Sequence, residues 1–136
     1  MLPEESSELE DALKNTEICP IYLLAPTSTE KRIKLVAQKT KGFIYLVSVT
    51  GVTGERREIS SDLGDLINRV RAHTSAPVCV GFGIGTPEQA KQVGQLADGV
   101  IVGSACVKTI GDREKPVEAA REFAAEYQRA LRQIPK

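Results

Sequence analysis

The stretch "PVCVGFGIGTPEQA", residues 77–90, passes from an apolar run through three glycines into the start of a helix. Thr86 offers an N-cap hydroxyl, Pro87 has no amide to satisfy in the first turn, and Gln89 stands three residues after the cap, where its side chain can reach back. Apolar run, bare turn and capped helix together make one βα unit. Gly81 and Gly83 bring backbone without side chains to one place, while Gly85 reads as an ordinary turn residue.

The same unit recurs on both sides. Residues 21–25, 43–49, 78–82 and 99–103 are short and almost continuously apolar, the pattern of parallel strands covered on both faces. Thr27, three residues before Glu30, is expected to cap a helix with Ile33, Val36, Ala37 and Thr40 on one stripe. Asp62 is expected to cap another, with Leu63, Leu66, Ile67 and Val70 at i, i+3, i+4 and i+7. After Thr86, Ala90 and Val93 turn inward. Pro116 opens a final helix with Val117, Ala120, Ala124, Tyr127, Leu131 and Ile134 along one side, and residues 3–15 form a first helix with Leu9 and Leu13 as its buried face.

Crossovers of this length and regularity build a parallel sheet, either doubly wound or a piece of a (βα)8 barrel. An eight-stranded barrel takes about 250 residues, and four strands cannot close one. The chain also opens on a helix rather than a strand. The expectation is a single partial-barrel domain over residues 1–136, the second half of a larger architecture.

Eighteen basic residues balance eighteen acidic ones among 136, so no nucleic acid or membrane partner is expected from overall charge. No apolar run reaches membrane-spanning length, and "MLPEESSELEDA" is too acidic for a secretory signal, which predicts a cytoplasmic location. Cys19, Cys79 and Cys106 are odd in number and widely spaced, and they read as small buried hydrophobes rather than as metal ligands. No metal and no cofactor is expected.

Three loops at the carboxyl ends of consecutive strands carry the unusual residues. In parallel α/β structures ligands bind at this end, and amides freed at a glycine turn or a helix start can converge on an anion. Gly83, Gly103 and Ser104 are the expected phosphate cradle, with Gly54 closing it from the preceding loop. Tyr45 lies within a strand, with its hydroxyl directed either at a ligand or into a packed interior. The spacing around Gly81 is G-x-G-x-G, not the dinucleotide fingerprint G-x-G-x-x-G, and no GxxxxGK[ST] loop occurs. His73, Lys108, Arg56, Arg57, Glu4 and Glu5 read as surface or helix-end residues. The strand ends offer Thr27, Ser48 and Thr50 but no carboxylate for acid–base chemistry.

Three segments in order, "GFIYLVSVTGVTGERREI" (42–59), "APVCVGFGIGTPEQA" (76–90) and "ADGVIVGSACVKTI" (97–110), closely resemble the carboxyl-terminal half of the tryptophan synthase alpha subunit family. "LPEES" (2–6) and "IYLLAPTSTEKRI" (21–33) resemble its preceding segments. The resemblance implies a (βα)8 lyase of tryptophan biosynthesis that cleaves indole-3-glycerol phosphate to indole and glyceraldehyde 3-phosphate. Its implied partner is a beta subunit, which carries pyridoxal phosphate and receives the indole. Gly54, Gly83, Gly103 and Ser104 would hold the substrate phosphate, Tyr45 and Phe82 would line the pocket, and Thr53 would belong to the loop that closes over it.

The family's two catalytic carboxylates come from earlier segments, and no position here matches them. The chain is therefore expected to supply the phosphate-binding half and to be inactive alone. The alternative is a noncatalytic half-barrel, a phosphate-binding or assembly module that self-associates through its sheet edges.

Overall fold

The computed structural model describes residues 2–47, 61–81, 83–111 and 113–135. Strands β1 (Leu23–Leu24), β2 (Ile44–Val47), β3 (Val78–Gly81) and β4 (Gly99–Ile101) form one sheet in the order β1-β2-β3-β4, with every neighbouring pair parallel. Helix α1 (Ser7–Leu13) precedes the sheet, after a 3-10 turn at Pro3–Glu5. Helices α2 (Glu30–Lys39), α3 (Ser61–Arg71) and α4 (Pro87–Gly94) join successive strands, and α5 (Ser104–Gly111) and α6 (Pro116–Arg132) follow β4. A doubly wound sheet reverses its strand order at a switch point. This order never reverses, and the fold is a partial (βα)8 barrel.

Strand side chains alternate between two environments. Leu24, Ile44, Leu46, Val78 and Val80 are at most 1% exposed, and pack with Ile33, Val36, Leu66, Ile67, Val70, Ala90 and Val93 from the helices. In register, Leu23, Tyr45, Cys79 and Gly99 form a row on the opposite face. That face is less covered than the apolar runs imply: Tyr45, Val47, Cys79 and Ile101 are half-buried and Leu23 is 56% exposed. Among the described residues, the buried core between sheet and helices lies on one side of the sheet.

The helix caps divide. Thr86 accepts from the Gln89 amide, completing the capping box expected there, and Pro116 opens α6 as expected. The cap of α2 is Thr29, whose hydroxyl accepts from the Arg32 amide, and not Thr27. The turn after β1 uses Ser28, which accepts from the Ala25 amide, and so carries the chain two residues further before the helix begins. Asp62 lies inside the first turn of α3 rather than capping it, where its charge still favours the helix dipole.

The stripe of α6 is rotated from the expected one. Ala119 and Tyr127 are buried and Phe123 and Leu131 pack on the core, whereas Val117 is 73% exposed and Ala124 is exposed. The Tyr127 ring lies 4.4 Å from that of Phe123.

Helix α1 has no buried residue, and Leu9 is exposed, contrary to the amphipathic reading. Its anchor is polar. Ser6, fully buried, accepts from Lys39 Nζ at 3.1 Å, and its hydroxyl oxygen lies 2.9 Å from that of Tyr22. Glu10 Oε1 accepts from the same ammonium at 2.7 Å and from the Tyr22 hydroxyl. Together Lys39, Ser6 and Tyr22 hold the Glu10 carboxyl down at about 2.

Among the described residues no helix is long and apolar enough to cross a membrane. The three cysteines are free. Cys19 is exposed in the turn ahead of β1, so the buried-hydrophobe reading fails there, and Cys79 and Cys106 are half-buried.

Candidate functional site

The carboxyl ends of β3 and β4 open into a pocket of about 410 Å3 lined by Tyr45, Gly83, Ile84, Gly85, Ile101, Gly103, Ser104 and Ala105. Tyr45, Gly83, Gly103 and Ser104, four of the seven residues singled out from sequence, therefore meet in one place. Thr53, Gly54 and Phe82 lie outside the described residues.

Each wall has a local cause. Tyr45 is on the inner face of β2, directed there by the alternation that buries Ile44 and Leu46 on the other face. Gly83 has φ 76°, in the left-handed region that side-chain-bearing residues avoid, and this turns the chain back from β3 towards α4. Gly103 lies at the join between β4 and α5. Its carbonyl accepts from the Val107 amide at 3.1 Å, which makes it the N-cap, and it carries no side chain that could cap.

The two helix starts near the pocket differ. In α4, Thr86 Oγ1 accepts from the Gln89 amide at 3.2 Å, and Gln89 Oε1 accepts from the amides of Gly85 (2.8 Å) and Thr86 (3.2 Å). That helix caps itself. In α5, the N-cap Gly103 has no side chain to accept from the amides of Ser104, Ala105 and Cys106, the first-turn donors that an α-helix cannot satisfy internally. An anion seated there would accept from these amides and meet the positive end of the helix dipole.

The lining supplies two hydroxyls, on Tyr45 and Ser104, and backbone amides, against apolar contact from Ile84, Ile101 and Ala105. No carboxylate, imidazole or amine is among these lining residues, which offer hydrogen bonds and apolar contact to bind and orient a ligand. Among the described residues, no three His, Cys, Asp or Glu side chains converge as a metal site would need. Sequence reasoning missed Ile84, Ile101 and Ala105, and read Gly85 as an ordinary turn residue although it also lines the pocket. Ile101 was legible as an inner-face residue once the phase of β4 was known, since it pairs in register with Gly81.

The other polar candidates lie apart from this lining. His73 Nε2 is 3.2 Å from Glu30 Oε2, and Glu30 Oε1 accepts from Arg69 Nε at 2.6 Å, so His73 sits beside the Arg69–Glu30 ion pair rather than ending α3 in solvent alone. Arg69, then His73, lowers the Glu30 pKa. Glu4 pairs with Arg32 at 3.0 Å. Burial, and secondarily the Asp98 charge, pushes the Cys79 thiol pKa up, which leaves it a poor nucleophile. A larger hollow of about 710 Å3 flanks β1 between Glu4, Leu23, Val47 and α2. It lies against the start of α2, where Thr29 and Lys31 are among its lining residues, and it contains none of the residues singled out from sequence as the phosphate cradle.

The sequence profile of the tryptophan synthase alpha chain family matches residues 1–134. The alpha chain of Lactiplantibacillus plantarum is 46% identical over 128 residues, which cover 94% of this chain and 48% of that relative. That of Dehalococcoides mccartyi is 44% identical over 131 residues, covering 96% and 49%. Among solved structures, a chain of Mycobacterium tuberculosis tryptophan synthase superposes with a TM-score of 0.82 at 35% identity, covering 97% of this chain and 49% of that one. The tryptophan synthase alpha subunit of Legionella pneumophila gives 0.82 at 30% identity, with 98% and 50% covered. The chain spans about half the length of the curated relatives it matches. Fold, profile and identity agree that this chain belongs to the tryptophan synthase alpha chain family.

Proposed function

We propose that the chain is the carboxyl-terminal, phosphate-holding half of a lyase that cleaves indole-3-glycerol phosphate to indole and glyceraldehyde 3-phosphate. The observation that carries this reading is the pocket in which Gly83, Gly103, Ser104 and Tyr45 meet at the start of α5. In it, the substrate phosphate accepts from the Ser104 and neighbouring amides and from the Ser104 hydroxyl, and Gly83 lets the β3 turn approach without a side chain in the way. Gly54 and Thr53 belong to the loop that closes over the phosphate, and Tyr45 and Phe82 flank the indole.

Each neutral hydrogen bond contributes about 0.5–1.5 kcal/mol net, and more where the partner is charged, so the cradle anchors the substrate without performing the cleavage. The groups that move protons during cleavage are not in the described lining, and the chain alone is inactive. In the full-length protein the partner is the tryptophan synthase beta subunit.

Titration of inorganic phosphate into the 15N-labelled chain tests the binding half of this reading. The Gly83, Gly103 and Ser104 amide resonances move together and saturate. Shifts confined to other residues, or none, would remove the phosphate assignment. An assay of the same chain with indole-3-glycerol phosphate gives no indole, and release of indole would overturn the statement that it is inactive alone. The intact mass of the native gene product is expected at about 27 kDa, in the range of a complete (βα)8 barrel. A native product of 136 residues would instead favour a noncatalytic half-barrel.

A further inference from the structure

The capping box of α4 closes the only other helix start beside the pocket among the described residues, and one side chain does most of that closing. Gln89 Oε1 accepts from two consecutive amides, Gly85 at 2.8 Å and Thr86 at 3.2 Å, while its own amide donates to Thr86 Oγ1. Gly85 lines the pocket and Gly83, two residues earlier, is left-handed. A helix cap requires a bond only to the N-cap amide. The additional bond to Gly85 falls outside the helix, in the turn that forms the pocket wall.

We propose that Gln89 is a positioning residue for the anion site: it fixes the Gly83–Gly85 turn and withholds the Gly85 and Thr86 amides, so that the anion is directed to the start of α5. The inference rests on the phosphate reading above and adds to it a residue outside the pocket lining. Both effects follow from one acceptor atom. With Oε1 in place, the two amides are spent and the turn is braced from the first turn of α4. Without it, the same two amides become free donors beside Gly83 and compete with those of Ser104 and its neighbours for the same charge. The turn also loses the brace that keeps Gly83 in its left-handed conformation.

The chain titrated with inorganic phosphate, followed by amide resonances, supplies the test. In the unsubstituted protein the Gly103 and Ser104 amides shift while those of Gly85 and Thr86 stay fixed. Comparable or larger shifts at Gly85 and Thr86 would overturn the proposal without any variant. Gln89→Met keeps the length and removes the acceptor. It is expected to weaken phosphate binding about fivefold, the worth of roughly one hydrogen bond, and to make the Gly85 and Thr86 amides respond. Gln89→Glu retains an acceptor and is expected to leave both amides fixed.

A Gln89→Met protein with a lowered urea midpoint but unchanged phosphate affinity would reduce Gln89 to a cap of purely structural value. If Gln89→Met does not fold, the amide pattern of the unsubstituted protein and of Gln89→Glu decides. Absence of phosphate shifts at Gly83, Gly103 and Ser104 in the unsubstituted chain removes the phosphate reading and this inference with it. Normal binding there with an indifferent Gln89→Met removes the inference alone.

Discussion

The ring of Tyr45 occupies the space in which a side chain at residue 81 would begin: a Cβ on Gly81 would lie 2.6 Å from Tyr45 Cζ. The two residues stand on adjacent strands, with Gly81 two positions beyond Cys79, the register partner of Tyr45. Tyr45 is thereby laid across the sheet towards β3, and its hydroxyl end becomes part of the pocket. Gly81→Ala is expected to cost about 1–3 kcal/mol through overpacking. Tyr45→Ala in the same chain relieves the clash, so the double variant is more stable than the two single losses predict, by about 1 kcal/mol. Urea unfolding of the four proteins measures the coupling, and strict additivity would mean that the ring does not rest on Gly81.

Gly83→Ala places a Cβ on a backbone held at φ 76°. The expected loss is about 1–2 kcal/mol of stability, accompanied by weaker phosphate binding because the wall of the pocket must move. Urea unfolding and the phosphate titration read the two effects separately. Full stability combined with unchanged affinity would show that the turn is free to adopt another shape.

Acid should release α1 before it releases the sheet. The Glu10 carboxyl is lowered from an ordinary 4.5 to about 2 by Lys39, Ser6 and Tyr22. A depressed carboxylate pKa contributes stability that is fully present above 4.5 and is lost as pH falls towards 2. Because α1 has no buried residue, that loss falls on α1. Hydrogen exchange of the Ser7–Leu13 amides is expected to quicken across this window while the β2 and β3 amides stay protected. In Glu10→Gln the α1 amides exchange fast at neutral pH and show no further acid step. Simultaneous exposure of helix and sheet in the unsubstituted chain would contradict the polar anchor.

Tyr127 buries a hydroxyl for which no hydrogen-bond partner exists among the described residues, while its ring packs on Phe123. Removing an unsatisfied buried hydroxyl relieves a desolvation cost without breaking a bond. Tyr127→Phe is expected to raise stability by about 1 kcal/mol, read as a higher urea midpoint. A lower midpoint would mean that the hydroxyl is held by a bound water.

The sheet and most of its outer core were legible because their signals are local. Leu63, Leu66, Ile67 and Val70 are all buried at the spacing of one helix face, and Thr86, Pro87 and Gln89 each do what their chemistry allows at a helix start. Where several residues could serve one role, local chemistry did not choose. Thr27, Ser28 and Thr29 are all able to cap, and the choice fell to the geometry of the turn after β1, which uses Ser28.

The face of α6 is set by where α4 and α5 lie, which no periodicity within α6 reports. Gly94 at the end of α4 shows the constraint: a Cβ there would lie 2.8 Å from both Leu131 and Ile134. For the site, Gly83 was legible as a bare turn, and Gly103 and Ser104 as a helix start. The bond from Gly85 to Gln89 was not, because a capping box predicts only the bond to the N-cap amide.

The strand order has a consequence for how the chain assembles. Among the described residues β1, β2, β3 and β4 pair with their neighbours in sequence, so each strand contact closes over one described helix, and β1 and β4 stand at opposite edges of the sheet. Loop-closure entropy rises with the length of chain enclosed, and topologies built on nearby contacts fold faster. The layer between helices and sheet can therefore zip from unit to unit as the polypeptide leaves the ribosome, each βα pair docking on the one before it.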